Sequence, residues 1–485
     1  MTPRPLALAV IALTATLGQS AAAQQTLTLQ DAIALAQRQG LAAQAASSAR
    51  DSERWRDRAL TARRLPQLSL EGVVPSINRG ITPVFRPDGT TAFVTQREMQ
   101  SSVNLRLSQQ VTATGGEVFI SSGLTRLDVH GAQQSPLWQS TPLVLGIRQQ
   151  LFRSNILRWD YREQDVRAEL AEQTYLEARE DVALATANAF FDVHAAEMGF
   201  QNAASNAAIN DTLHLLNTGR YEVGKIGEND LLQSELAVLR ARTSLDGARL
   251  ERARAMAELK RLTNLTADAE ITIVIPADAP DVQPDTSLAV AEALRNRSEM
   301  RSLELEEIVA RRQVSEARLN TGFGLTVSAM AGYNQTAPIF DDAYRSLLEQ
   351  QRLTVAVEMP LVQWGARRAQ VQAARAEEDR VTALARESRA AVEQDARFAA
   401  LRLPLARRQL ATSAKADTVA TRRFDVAKNR YIIGRIDIGD LYIAQSEKDA
   451  ALLSYVEALR NYWLAYYRLR RLTLYDFEVL RRLAP

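Results

Sequence analysis

Cysteine is absent from the 485-residue chain. That excludes disulfides, thiolate metal sites, thiol catalysis and an acyl anchor on an amino-terminal cysteine. Histidine is nearly absent: His130, His194 and His214 are the three. The last two, if on one helix, lie about 30 Å apart at 1.5 Å per residue and cannot share a metal. Charge of one sign is also missing. Lys and Arg number 59 against 57 Asp and Glu, a net charge of +2, and the two signs interleave, so there is no one-sided basic surface for nucleic acid. Acid pairs such as Glu306-Glu307 sit in charge-alternating stretches that read as solvated helix faces. A nucleotide-binding loop is lacking too, so energy for any work must come from a partner. These absences lead us to expect no enzyme, no cofactor and no metal site.

Long apolar runs are confined to the beginning. Arg4, the apolar stretch Leu6 to Leu17 and the small residues Ala21-Ala22-Ala23 read as a secretory signal over residues 1–23. The stretch is shorter than the ~20 apolar residues of a spanning helix. No later segment can cross a bilayer as a helix, so a membrane-spanning form of this chain must be a closed β-barrel.

The chain says nearly the same thing twice. Arg220-Tyr221-Glu222-Val223-Gly224-Lys225-Ile226, running on to Asp230-Leu231, returns as Arg430-Tyr431-Ile432-Ile433-Gly434-Arg435-Ile436, running on to Asp440-Leu441. The offset of 210 also lays Gln150-Leu151-Phe152 onto Pro360-Leu361-Val362 and Arg158 onto Arg368. Duplication fits an elongated, ring-forming assembly better than a catalytic globule. We expect a first repeat over residues 24–270, a Pro-containing linker over 271–286 that opens with a strand at Ile271–Ile275, and a second repeat over 287–485. Each repeat should run helix, strands, long helix, tight turn, helix.

The opening helices are expected at Thr28–Arg64 and Ser287–Leu319. Strand periodicity follows: Leu68 and Leu70, then Val103, Leu105 and Leu107, then Leu143, Leu145 and Ile147, alternate with other residues. Further strands are expected at Leu325–Tyr333 and Leu353–Leu361. Alternating segments of about ten residues between turn signals are the signature of barrel strands. The turns are Pro87-Asp88-Gly89 and Thr114-Gly115-Gly116. Ser154–Thr218 and Arg367–Asn429 read as helices of about 95 Å, the second of which Pro404 should kink. Leu452, Tyr455, Leu459, Tyr462, Tyr466 and Leu469 fall at spacings of three and four, a coiled-coil seam. The opening helices align at an offset near 258, the later segments at 210. About 48 residues are thus inserted among the first-half strands, a hairpin near 100–130 that either lengthens the outer loops or adds two strands.

The repeated turn has a structural explanation: its glycine ends one helix with positive φ, and Asp230 or Asp440 caps the next. Asp230 with Gln233 would form a capping box.

In these residues the chain resembles the TolC-type outer-membrane efflux proteins. The resemblance rests on Leu27-Thr28-Leu29-Gln30-Asp31-Ala32-Ile33, the strand-to-helix passages at Gln150-Leu151-Phe152 and Met359-Pro360-Leu361, and both turn motifs. It implies a mainly α fold with a membrane β-barrel: a homotrimer whose barrel, usually of twelve strands, sits in outer-membrane lipid and continues into a periplasmic α-helical tunnel. The implied partners are a periplasmic adaptor (membrane fusion) protein and an inner-membrane transporter, in an efflux or type I secretion assembly. The resemblance makes Asp440, with Asp437 beside it, candidates for an acidic ring at the periplasmic gate. It makes Tyr221, Val223, Gly224, Lys225, Tyr431, Ile433, Gly434 and Arg435 the helix-turn tips that meet the adaptor. Ile436 and Ile443 depart from the family, which carries an arginine and a second aspartate there. The rival reading is a secreted periplasmic coiled-coil scaffold or adaptor without a pore.

Overall fold

The computed structural model describes residues 25–130, 135–276 and 279–483; the expected signal at 1–23 lies outside them. The chain enters at strand β1 (Gln25–Thr28), which pairs in parallel with β6 (Ile271–Val274). Thr28 then caps α1 (Leu29–Gln39), its hydroxyl oxygen accepting the Asp31 amide hydrogen at 3.2 Å.

The expected single helix over 28–64 is two. Gly40 is extended (φ −65°, ψ 142°), and the chain restarts as α2 (Leu41–Ala62). A Cβ at Gly40 would lie 2.4 Å from the Ala36 carbonyl oxygen and 2.9 Å from that of Leu262, so this approach needs glycine. The second half breaks likewise. α5 (Thr286–Asn296) and α6 (Ser298–Leu319) meet at extended Arg297. Position for position, these helix pairs are 257 residues apart, one fewer than expected.

Between the opening and long helices lies one antiparallel sheet. Its strands are β2 (Gln67–Phe85), β3 (Thr91–Val111), β4 (Gly116–His130), β5 (Ser135–Leu151), β7 (Gly324–Ala337) and β8 (Leu348–Glu358), hydrogen-bonded in that order. The first half supplies four strands and the second two. β2 and β8 each have a partner on one side alone.

The long helices are α3 (Ile156–Glu222) and α7 (Ala366–Ile432), each of 67 residues, or about 100 Å. Each turns back into a 36-residue helix, α4 (Glu228–Thr263) or α8 (Ile438–Thr473). Every boundary of these four repeats at an offset of 210. α7 runs on through Pro404, with Leu403 beside it fully buried. α3 packs against α4 and α8, and α8 against α7. The hairpins therefore lie side by side in the order α4, α3, α8, α7. Nearer the sheet, α2 and α6 flank α3, and α6 also packs on α7.

The core sits midway along this array, where Phe190, Phe191, Leu259, Leu403, Tyr462 and Leu469 are fully buried. Of the expected seam, Leu459, Tyr462, Tyr466 and Leu469 are buried, while Leu452 and Tyr455 are half-buried. Small residues Ala183 and Ala187 let the helices approach. The α3–α8 contact also carries polar rungs: beside the core Arg460 Nη2 donates to Asn188 Oδ1 at 2.8 Å, and toward the tips Asn202 and Asn206 donate to the two Asp449 carboxylate oxygens at 2.8 and 2.7 Å. Apolar packing supplies most of the stability and the polar rungs fix the register. Phe190→Ala is expected to destabilise the fold by ~3–5 kcal/mol, read as an earlier denaturant midpoint at unchanged m-value.

Candidate functional site

The sheet is inside-out. In a soluble sheet the apolar face is covered; here Val103, Leu105 and Leu107 on β3 and Val118 and Ile120 on β4 are exposed. Their alternates Asn104, Arg106 and Ser108, and Glu117, Phe119 and Ser121, are half-buried. Leu143, Leu145 and Ile147 on β5 continue the apolar face. Registered partners share a face, so Leu70, Leu105, Ser122 and Leu107, Ile120, Leu145 form rows across the strands. On the other face Arg106 pairs with Glu117 at 3.1 Å and lies 3.9 Å above the Phe119 ring. Aromatic rings mark both ends of the apolar band. At the helix end Phe152 and Phe323 lie 5.5 Å apart, and Trp364 is 97 % exposed. At the far end Trp138 meets Phe340 at 5.2 Å, and Phe340 meets Tyr344 at 5.5 Å. An apolar band between aromatic girdles is the lipid-facing pattern of a transmembrane barrel.

The opposite end of the molecule carries the two hairpin tips. Gly224 and Gly434 close α3 and α7 at φ +68° and +74°, with open space where a Cβ would go. Lys225 and Arg435 donate their amides to the Arg220 and Arg430 carbonyls, both at 2.8 Å. Val223, Lys225, Ile433 and Arg435 are exposed.

Capping at the tips differs from expectation. The N-cap of α8 is Asp437, whose Oδ1 accepts the Asp440 amide hydrogen at 2.9 Å; Asp440 lies in the first helical turn. The N-cap of α4 is Gly227, with no side-chain bond, so Asp230 is no cap and closes no capping box with Gln233. Each of these aspartates is the third residue of its helix, which places the carboxylates where the positive helix end favours them.

The repeated tyrosines also part company. Tyr431 is buried, and its hydroxyl donates to Asn217 Oδ1 at 2.6 Å. Arg220 covers its ring at 5.2 Å and donates to the Ile432 carbonyl at 2.8 Å. α3 thus clamps the end of α7. Tyr221, its repeat partner, is 42 % exposed. Tyr442 packs nearby; burial, and secondarily Tyr431, push its hydroxyl up to about 12, so it is neutral at physiological pH. Ile443 is exposed and Ile436 half-buried. Among the described residues no group of three or more His, Asp or Glu could hold a metal, and no helix is long and apolar enough to cross a membrane.

The family profile described as outer membrane efflux protein matches residues 117–265 and 289–473. The chain belongs to this family. Outer membrane efflux proteins are channels, so the chain has an outer-membrane channel role in efflux, and the pore-less scaffold or adaptor is set aside. No curated protein matches the chain by sequence. Solved structures share its fold. The Campylobacter jejuni CmeC outer membrane channel is 15 % identical at a TM-score of 0.67, covering 94 % of this chain and 87 % of its own. The Vibrio cholerae outer membrane protein VceC is 15 % identical at 0.66, covering 93 % and 97 %. The open-state Neisseria gonorrhoeae MtrE outer membrane channel is 14 % identical at 0.62, covering 94 % and 91 %.

Because Asp437 holds the cap in this efflux protein, Asp437→Ala is expected to destabilise the start of α8 by ~1 kcal/mol. Asp440→Ala should do so by less. Hydrogen exchange at residues 438–441 measures both. Tyr431→Phe, which leaves Asn217 without its donor, should loosen the clamp by ~1 kcal/mol in the same experiment.

Proposed function

We propose that three copies close around an axis into a β-barrel in the outer membrane and an α-helical tunnel in the periplasm. The observation that carries this is a pair of uncovered edges at every level of the chain. The sheet ends in β2 and β8, each with one edge unpaired among the described residues, and unpaired strand edges do not survive in lipid. The helical array ends in α4 and α7, and each presents an apolar seam. On α4, Leu232, Leu236, Leu239 and Leu250 follow coiled-coil spacing; on α7, Phe398, Leu405, Val419 and Val426 fall on a seven-residue repeat. All are exposed in the single chain. Left in water, such seams mark an interface. Joining α4 of one copy to α7 of the next, and β2 to β8, covers all four edges with one rotation, as closed cyclic symmetry requires.

Membership of the family supports the partners: an adaptor protein at the hairpin tips and an inner-membrane transporter that supplies energy, with cargo passing from periplasm or cytoplasm to the exterior. Asp437 and Asp440 at the second tip would form an acidic ring at the mouth, attracting cations and repelling anions. Opening would be a repacking of the coiled-coil tips, with the Arg220–Tyr431 clamp as one contact to rearrange. The exposed tips at Val223-Gly224 and Ile433-Gly434 suit an adaptor contact.

Fractionation and single-channel recording test the reading. The mature protein is expected in the outer-membrane fraction as a trimer with discrete conductance; recovery as a soluble periplasmic monomer would overturn it. Asp440→Asn should lower cation selectivity and relieve block by multivalent cations without loss of assembly, because Asp437 retains the cap. An unchanged channel would place the filter elsewhere. Gly434→Val, straining a position at φ +74°, should weaken adaptor crosslinking and export while leaving the trimer intact.

A further inference from the structure

The two halves carry unequal shares of the sheet. From the opening helices to the long ones the repeat offset falls from 257 to 210, so the first half holds 47 more residues, and it has two more strands. Its inserted hairpin is β3–β4, whose turn at 112–115 sits at the helix end of the sheet. That turn is built in: Asn155, the N-cap of α3, donates its side-chain amide to the Thr112 carbonyl at 2.9 Å, and Gln149 donates to the Thr114 carbonyl at 2.9 Å. The hairpin is neither an outer loop nor an overlay. β3 and β4 are paired on both sides along the ladder, between β2 and β5.

We propose that β3–β4 is membrane wall, so that three copies of the six-stranded sheet close an eighteen-stranded barrel. This rests on the trimeric channel reading above. The hairpin's apolar row from Leu107 back to Met99, interrupted by Ser101, spans nine residues, within the ~9–11 a tilted strand needs to cross the hydrocarbon. It lies in register with the apolar rows of β2 and β5 and so meets the same acyl chains. The opposite face carries the Arg106–Glu117 pair toward the axis, where buried charge without water would be costly. Two strands from each half would give twelve in three copies; four and two give eighteen. Barrels of ~16–18 strands enclose an aqueous channel. The exit is therefore a water-filled, charge-lined pore suited to hydrated, polar or bulky cargo.

The cysteine-free chain allows a direct test. Leu105→Cys and Ile120→Cys place a fluorophore on the inserted hairpin, Leu145→Cys and Leu353→Cys on strands outside it, and Ser121→Cys on the polar face. Each labelled protein is reconstituted into liposomes with and without nitroxide acyl-chain lipid. Lipid quenching by about twofold or more is expected at the first four positions and not at Ser121→Cys, which a water-soluble quencher should reach, as barrel alternation demands. Quenching at Leu145→Cys and Leu353→Cys but not at Leu105→Cys and Ile120→Cys would overturn the hairpin proposal and leave the channel reading standing. No lipid quenching at any position would overturn both.

Discussion

Backbone hydrogen-bonding capacity is the constraint on which the rest of this structure depends. A strand in hydrocarbon must have both edges paired, and the six-stranded sheet pairs ten of its twelve strand edges, leaving one side of β2 and one of β8 open. The same incompleteness runs down the helical array, where α4 and α7 expose heptad-spaced leucine, phenylalanine and valine. Side-chain chemistry follows from it. The apolar residues of the strands take the exposed face, as the proposed barrel in lipid requires, while Arg106, Glu117 and their neighbours take the more enclosed face.

The helical array and the sheet solve different packing problems with the same duplication. Helices of 67 residues cannot be hidden in a globular core, so they are held by narrow seams: alanine where they approach, aromatic rings midway, and Asn–Asp and Arg–Asn rungs where the contact is wet. These rungs supply little net energy each, but they penalise slippage, since a shift by one turn would part several half-buried polar groups from their partners. At the tips the two copies of one motif have diverged in environment. Tyr431 is locked under Arg220 whereas Tyr221 faces out.

Much of this was legible in the sequence. The 210-residue offset located both long helices within a few residues, because helix formers run unbroken up to the tip glycines. Strand alternation found the sheet, and the mismatch in offsets raised the expectation of an extra hairpin. Other features were hidden for identifiable reasons. Gly40 was visible as a possible break, but Arg297 is no breaker by itself; the flanking Asn296 donates to the Thr473 carbonyl and Ser298 to the Glu177 carboxylate, partners distant in sequence. Asp437 takes the cap that Asp440 was expected to hold; the Asp-x-x-Asp spacing was the available clue. Tyr221 and Tyr431 are identical in motif, but only Tyr431 is buried, by Asn217 and Arg220 across a tertiary contact that sequence does not encode locally.

The central claim is that one rotation closes the edges of the sheet and of the helical array together. A three-dimensional map of the mature protein in lipid nanodiscs tests it most directly. The account predicts three copies, with β2 of each hydrogen-bonded to β8 of the next and α4 of each packed along α7 of the next. A map in which β2 and β8 of one copy pair with each other, or in which α4 and α7 remain bare, would contradict it.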